Sequence, residues 1–173
     1  MSTLRSLTKE DFPSIRDLGR ECLPHSYPDE YWEALTTQPK TYETLGAFDS
    51  SILVAVVAVM KNVSDHISIE YLDMEERKVC ESGKEVHYLC TLFVSSSHRG
   101  KGLATRLIHT ILPPILSHKS SLIYLHVQSC NIPARRLYTT LGFKEEGQLE
   151  NYYKKSLEDK EGDYKAVIYV KRM

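Results

Sequence analysis

The sequence has no surplus of either charge: 22 lysines and arginines stand against 23 aspartates and glutamates. That balance speaks against a non-specific nucleic-acid binder, which would carry a basic excess. There is no apolar run of membrane-spanning length and no signal-peptide pattern at the N-terminus, so a soluble, intracellular chain is expected. The four cysteines, Cys22, Cys80, Cys90 and Cys130, are scattered and form no Cys-x-x-Cys pair. Reduced thiols are expected, with no metal site. Internal repeats and low-complexity tracts are also missing. At 173 residues the expectation is a single domain, 1–173, long enough for a real core.

What the sequence does have is one organising stretch, residues 86–111. Val86 to Val94 is apolar, β-branched or aromatic at most positions and predicts a buried strand. Ser95 to His98 is a polar turn, and Arg99-Gly100-Lys101-Gly102-Leu103-Ala104 then opens a helix whose stripe is Leu103, Leu107, Ile111 and Ile115. A strand that passes through a glycine-bearing turn into a helix gathers unpaired backbone N–H groups at one spot. Those donors and the positive end of the helix dipole suit a phosphate. Gly100 and Gly102 let an anion approach the backbone, and Arg99 and Lys101 add positive charge. The loop is neither a Walker loop nor a Gly-x-Gly-x-x-Gly loop, since no Gly-Lys-Ser/Thr follows and residue 105 is Thr.

It resembles instead the Arg/Gln-x-x-Gly-x-Gly/Ala loop of the GNAT superfamily of acetyltransferases, matched by Arg99, Gly102 and Ala104. In that family the loop holds the pyrophosphate of acetyl-coenzyme A. The resemblance implies cofactor contacts from Arg99, Gly100, Lys101, Gly102, Leu103, Ala104 and Thr105.

Elsewhere, Thr3 to Leu7 is a short strand, and Thr8 with Asp11 starts a helix carrying Phe12, Ile15, Leu18 and Cys22. Two prolines in Leu23-Pro24-His25-Ser26-Tyr27-Pro28 break it. Pro28-Asp29-Glu30 opens a second helix with Tyr31, Trp32 and Leu35. Tyr42 to Phe48 and Ile52 to Met60 are strands joined by a hairpin turn, the second apolar enough to be central. Residues 61–85 are charged and predict an extended hairpin or mobile excursion. Pro113-Pro114 predicts a kink or stop near Leu112. Leu122 to Val127 is a strand, and Asn131 to Leu141 a short helix closed by Gly142. Phe143 to Gly147 is a strand, Leu157 to Asp163 a charged turn, and Tyr164 to Arg172 the closing strand. The order β-α-α-β-β-β-α-β-α-β-β predicts an α/β fold, a mixed, mostly antiparallel sheet of about seven strands with helices on both faces. That order matches the GNAT fold.

Further stretches are similar to protein N-terminal acetyltransferases, the NatE catalytic subunit and the NatF enzyme in particular. They are Ile123-Tyr124-Leu125-His126-Val127, Asn131, Leu137-Tyr138, Gly142-Phe143, the loop Leu23 to Asp29, and Asn151-Tyr152-Tyr153. The long 61–85 excursion and Lys160-Glu161-Gly162 look more like NatF. The resemblance implies Tyr88 and His126 as a general-base pair acting through water, and Tyr138 as proton donor to the coenzyme A thiolate. It implies Asn131 and Tyr138 on the pantetheine arm, and backbone N–H groups of Leu92, Phe93 and Val94 facing the acetyl oxygen. Leu23, Pro24, Tyr27, Tyr31, Tyr88, Tyr152 and Tyr153 would wall the peptide pocket. Aromatic walls suit an apolar first side chain such as methionine. Taken alone, His126 reads as a core histidine and the tyrosines as packed or surface aromatics.

Chemistry supports the choice of amine. A protein α-amine loses its proton near pH 7.7–8.0, a lysine near 10.4, so an N-terminal substrate needs only a modest base. No Glu or Asp occupies residues 86–98 or 121–131, which disfavours lysine. The expected activity is acetyl transfer from acetyl-CoA to Met-starting protein N-termini, with CoA as product. The alternatives are a GNAT enzyme for lysine or small amines, and an inactive CoA-binding scaffold subunit. Ser26 stands where NatF enzymes carry an acidic residue, and Leu23 where the family loop has Phe. The chain stops at Met173 without the amphipathic extension of NatF, so no membrane anchor and a cytoplasmic location are expected. The resemblance leaves any ribosomal or auxiliary partner open.

Overall fold

The computed structural model describes residues 2–24, 26–66, 74–81, 85–117, 121–153 and 164–172. Seven strands are β1 (Thr3–Ser6), β2 (Tyr42–Asp49), β3 (Ile52–Met60), β4 (Glu85–Val94), β5 (Ser121–Gln128), β6 (Lys144–Leu149) and β7 (Ala166–Arg172). Five helices among the described residues are α1 (Phe12–Cys22), α2 (Asp29–Thr37), α3 (Met74–Glu81), α4 (Leu103–Ile115) and α5 (Ile132–Thr140). The strand order is β1-β2-β3-β4-β5-β7-β6. All but the β4–β5 pair, among the pairings described, are antiparallel. The expected turn at 157–163 and Lys160-Glu161-Gly162 lie outside the described residues, as does His25.

The chain forms two compact units, 1–61 with 89–115 and 62–88 with 116–173. In the first, β2 and β3 form the expected hairpin, with Ser50 turning the chain at φ 56° and a bulge between Ala47 and Phe48. Val56 and Ala58 of β3 join Ile15, Leu18, Trp32, Leu35 and Phe93 in one core cluster. Their alternates Val57 and Val59 are equally buried, and α4 packs against β2 and β3. β3 is therefore covered on both faces, which is why its sequence does not alternate. Gly19 lets α1 approach α2, since a Cβ there would lie 2.4 Å from the Trp32 ring.

In the second unit β4 pairs in parallel with β5 from Glu85–Ser121 to Tyr88–Tyr124. β7 then pairs antiparallel with both β5 and β6. Asn131 caps α5 by accepting the Ala134 N–H at 3.2 Å, and Gly142 ends it at φ 83°.

One expectation is corrected and another refined. The 61–85 stretch is not an extended hairpin over its described part: it holds a 3-10 turn at Val63–Asp65 and the helix α3. The helix escapes a reading by periodicity because Met-Glu-Glu-Arg-Lys-Val-Cys-Glu has no apolar stripe beyond Val79 and its neighbour. The element order accordingly gains a helix before β4. Of the kink or stop expected near Leu112, the stop falls three residues later, with both prolines inside the last turn of α4 and the helix ending at Ile115. Ile111, Leu112, Ile115 and Leu116 are all buried there, and that packing offsets the hydrogen bonds the prolines remove.

Candidate active site

The loop after β4 is built as a cradle. Gly100 and Gly102 have φ of 72° and 74°, a left-handed conformation that L side chains avoid. An added Cβ at either position would meet nothing within 4 Å, so the backbone faces open space. The first bond into α4 runs from the Arg106 N–H to the Gly102 carbonyl at 3.0 Å. The N–H groups of Leu103, Ala104 and Thr105 therefore stand at the helix's open end. Arg99 folds back so that its Nε donates to the Val94 carbonyl at 3.1 Å, and Lys101 Nζ donates to the Ser97 carbonyl at 2.9 Å. His98 ties the loop down, its Nδ1 2.8 Å from Ser95 Oγ and its Nε2 3.2 Å from Asp49. Leu103 turns its side chain into the core, so only its backbone is available to a ligand. These residues fit a diphosphate.

The same unit holds an aromatic group. Tyr27 and Tyr31 stack at 4.7 Å, both meet the Trp32 ring edge-on, and Trp32 meets Phe93 at 6.1 Å. Leu23 packs against this cluster, while Pro24 is exposed. Burial pushes the Tyr31 phenol well above its ordinary value and the Tyr27 phenol upward. Both stay neutral hydrogen-bond donors at pH 7. Phe93 spends its ring on Trp32, so any ligand contact from it is made by the main chain. Leu92 and Val94 are half-buried on the opposite side of β4.

In the other unit, alternation puts Tyr124 and His126 on one face of β5, and Tyr88 pairs with Tyr124 on β4. Tyr88 Oη lies 3.1 Å from His126 Nδ1. Asn151, at φ 56°, turns the chain after β6 and Tyr152 then stacks on the His126 ring at 4.3 Å. Tyr152 Oη is also 3.1 Å from His126 Nδ1. On the ring's other side, His126 Nε2 is 3.3 Å from Glu76 Oε1 of α3. Tyr153 meets Tyr152 edge-on and donates its backbone N–H to the Tyr164 carbonyl at 3.1 Å. Tyr138 is buried on α5 between Phe143 and Tyr169, and that burial raises its phenol, which stays protonated. Asn131 spends its Oδ1 on the α5 cap, leaving its amide hydrogens for a ligand. No group of three or more metal-ligating side chains occurs among the described residues.

The described residues thus hold an imidazole flanked by phenols in one unit and a loop of open backbone in the other. Residues 12–143 match the Acetyltransferase (GNAT) family. The chain belongs to this family. A Drosophila melanogaster relative, N-alpha-acetyltransferase 60, is 25% identical over 172 residues, covering 87% of this chain. This GNAT chain spans 62% of the length of the curated relatives it matches. The structure of Arabidopsis thaliana NAA60 in complex with acetyl-CoA has the same fold, with TM-score 0.80, 20% identity, and 100% of this chain and 99% of that one covered. Arabidopsis thaliana NAA50 in complex with the bisubstrate analogue CoA-Ac-MVNAL gives TM-score 0.73, 22% identity and 99% coverage of both chains.

Two features of this GNAT site are out of reach of the sequence alone. Glu76 lies fifty positions from His126 in a helix with no apolar stripe. Its local signal is acidity and nothing more. Tyr152 is expected in a pocket wall, yet it lies on the imidazole itself. Lysine is no longer disfavoured for want of a carboxylate near the two strands, because Glu76 reaches His126 from α3.

Proposed function

We propose that this chain transfers the acetyl group of acetyl-coenzyme A to the α-amine of protein N-termini. The observation that carries the reading is His126 Nδ1 at 3.1 Å from both Tyr88 Oη and Tyr152 Oη. When bound, acetyl-CoA supplies a thioester whose C–S bond breaks as the amine's N–C bond forms. The backbone donors of residues 100–105 bind the diphosphate, and Asn131 steadies the pantetheine arm. Tyr88 and His126 take the proton that leaves the amine nitrogen, through an ordered water. Backbone N–H groups of Leu92, Phe93 and Val94 stabilise the charge that gathers on the acetyl oxygen. Tyr138, kept protonated by burial, donates to the departing sulfur.

Leu23, Pro24, Tyr27, Tyr31 and Tyr153 hold the peptide, and their apolar faces favour a first methionine. The name of the fly relative and the Met-starting analogue bound to the plant protein support this choice. No helix among the described residues is long and apolar enough to cross a membrane. Transfer to lysine is the second reading, favoured by the carboxylate of Glu76 beside His126. One assay separates them: acetylation of a library of free α-amine peptides against N-blocked, lysine-containing peptides. Incorporation into the α-amine set, led by Met-starting members, is expected. Incorporation confined to the blocked set would replace the first reading by the second.

A further inference from the structure

Glu76 has no place in the roles assigned above, yet it is positioned with care. Glu76, Val79 and Cys80 fall at i, i+3 and i+4 of α3 and so share one face. Val79 is buried, the Cys80 thiol lies beside Tyr124, and Glu75 lies where a Cβ on Gly147 of β6 would touch it at 3.4 Å. That seating aims Glu76 at His126, and the two side chains are only 11% and 3% exposed.

We propose that Glu76 is a positioning residue: its carboxylate stands in ion-pair contact with His126 Nε2 at 3.3 Å, which favours the hydrogen on that nitrogen and so leaves the Nδ1 lone pair towards Tyr88 and Tyr152. This rests on the reading of His126 as the base. A carboxylate beside a ring nitrogen favours the hydrogen on that nitrogen, and the neutral ring then has its lone pair on the other one. That other nitrogen is the one 3.1 Å from both phenols. When Nδ1 gains the amine's proton, the ring becomes an imidazolium, and a carboxylate 3.3 Å away offsets its charge. The same division of labour governs a carboxylate behind a catalytic histidine in hydrolases.

Among the described residues, titratable groups seen facing the ring include Glu76 from α3, Tyr88 from β4, Tyr124 from β5 at 5.8 Å between ring centres, and Tyr152. Cys80 adds no charge at neutral pH, because burial and then Glu76 push its thiol up to about 11.

The test uses the full chain and the variants Glu76→Gln and Glu76→Asp, with a Met-starting peptide. Glu76→Gln is expected to lower kcat by roughly 10²-fold while peptide KM stays within about twofold. The acid limb of the kcat–pH profile should move to lower pH, because the imidazolium has lost its counter-charge. Glu76→Asp should return the limb towards its original place. The nitrogen-15 spectrum of the imidazole should show the Nε2–H tautomer in the parent and a mixture in Glu76→Gln. An acid limb that stays put, or a tautomer unchanged in Glu76→Gln, overturns the proposal. If the parent acetylates no peptide at all, the acetyltransferase reading falls by itself, and the imidazole spectrum alone still decides what Glu76 does.

Discussion

His126 is asked to be a base, and its neighbours say how far that can be checked. Replacing it with alanine removes the imidazole in contact with the Tyr88 and Tyr152 hydroxyls. We expect kcat to fall by roughly 10²–10⁴ with acetyl-CoA binding retained, as measured by steady-state kinetics beside calorimetry. Tyr88→Phe should lose a comparable factor, and full activity in both variants would remove the pair from the mechanism. At a second residue, pH acts on stability. Arg5 donates to both carboxylate oxygens of Asp11 at 2.7 and 2.8 Å, which holds that carboxyl below its ordinary value. A lowered value stabilises the fold above the unfolded-state pKa of about 3.9 and ceases to do so as pH falls through the folded one. Asp11→Asn should therefore melt lower than the parent at neutral pH, and the gap should begin to narrow below about pH 4 and close as the pH passes the lowered folded-state value.

Elements test packing against propensity. Gly19 sits inside α1, where alanine would improve intrinsic helix preference by about 1 kcal/mol. Its new Cβ would lie 2.4 Å from a Trp32 ring that is itself 1% exposed and boxed in by Tyr27, Tyr31 and Phe93. Overpacking of that kind costs about 1–3 kcal/mol or more, so the clash wins. Gly19→Ala should come out less stable in urea denaturation, although helix propensity alone would make it more stable. α4 carries the complementary case. Leu107→Ala empties a fully buried position on the stripe read from sequence, for an expected loss of about 2–5 kcal/mol.

At the scale of the molecule, a ligand that binds only the folded chain must raise its melting temperature. Acetyl-CoA at about a hundred times its Kd should add ~2.7 kcal/mol, or roughly 5–10 °C for a chain of this length. Arg99→Ala should shrink that shift more than it weakens peptide binding, and a flat melting curve would mean the cradle at 100–105 is misassigned. Much of the molecule is legible in its sequence. Strands β2 to β5, helices α1, α2, α4 and α5, and the Gly100 and Gly102 turn follow from patterns local to the chain, while the pairing of Tyr88 with His126 comes from the family resemblance. Periodicity and turn chemistry act over a few residues, and a linear text records them. Glu76 and the stacking of Tyr152 are not legible, because nothing within a few residues of either points to His126. Their contact exists only after β4 and β5 have paired, α3 has seated Val79, and Asn151 has turned the chain. Local preference thus decided which elements form and where the cradle lies. Only tertiary packing decided what surrounds the imidazole, since that depends on distances between segments remote in sequence.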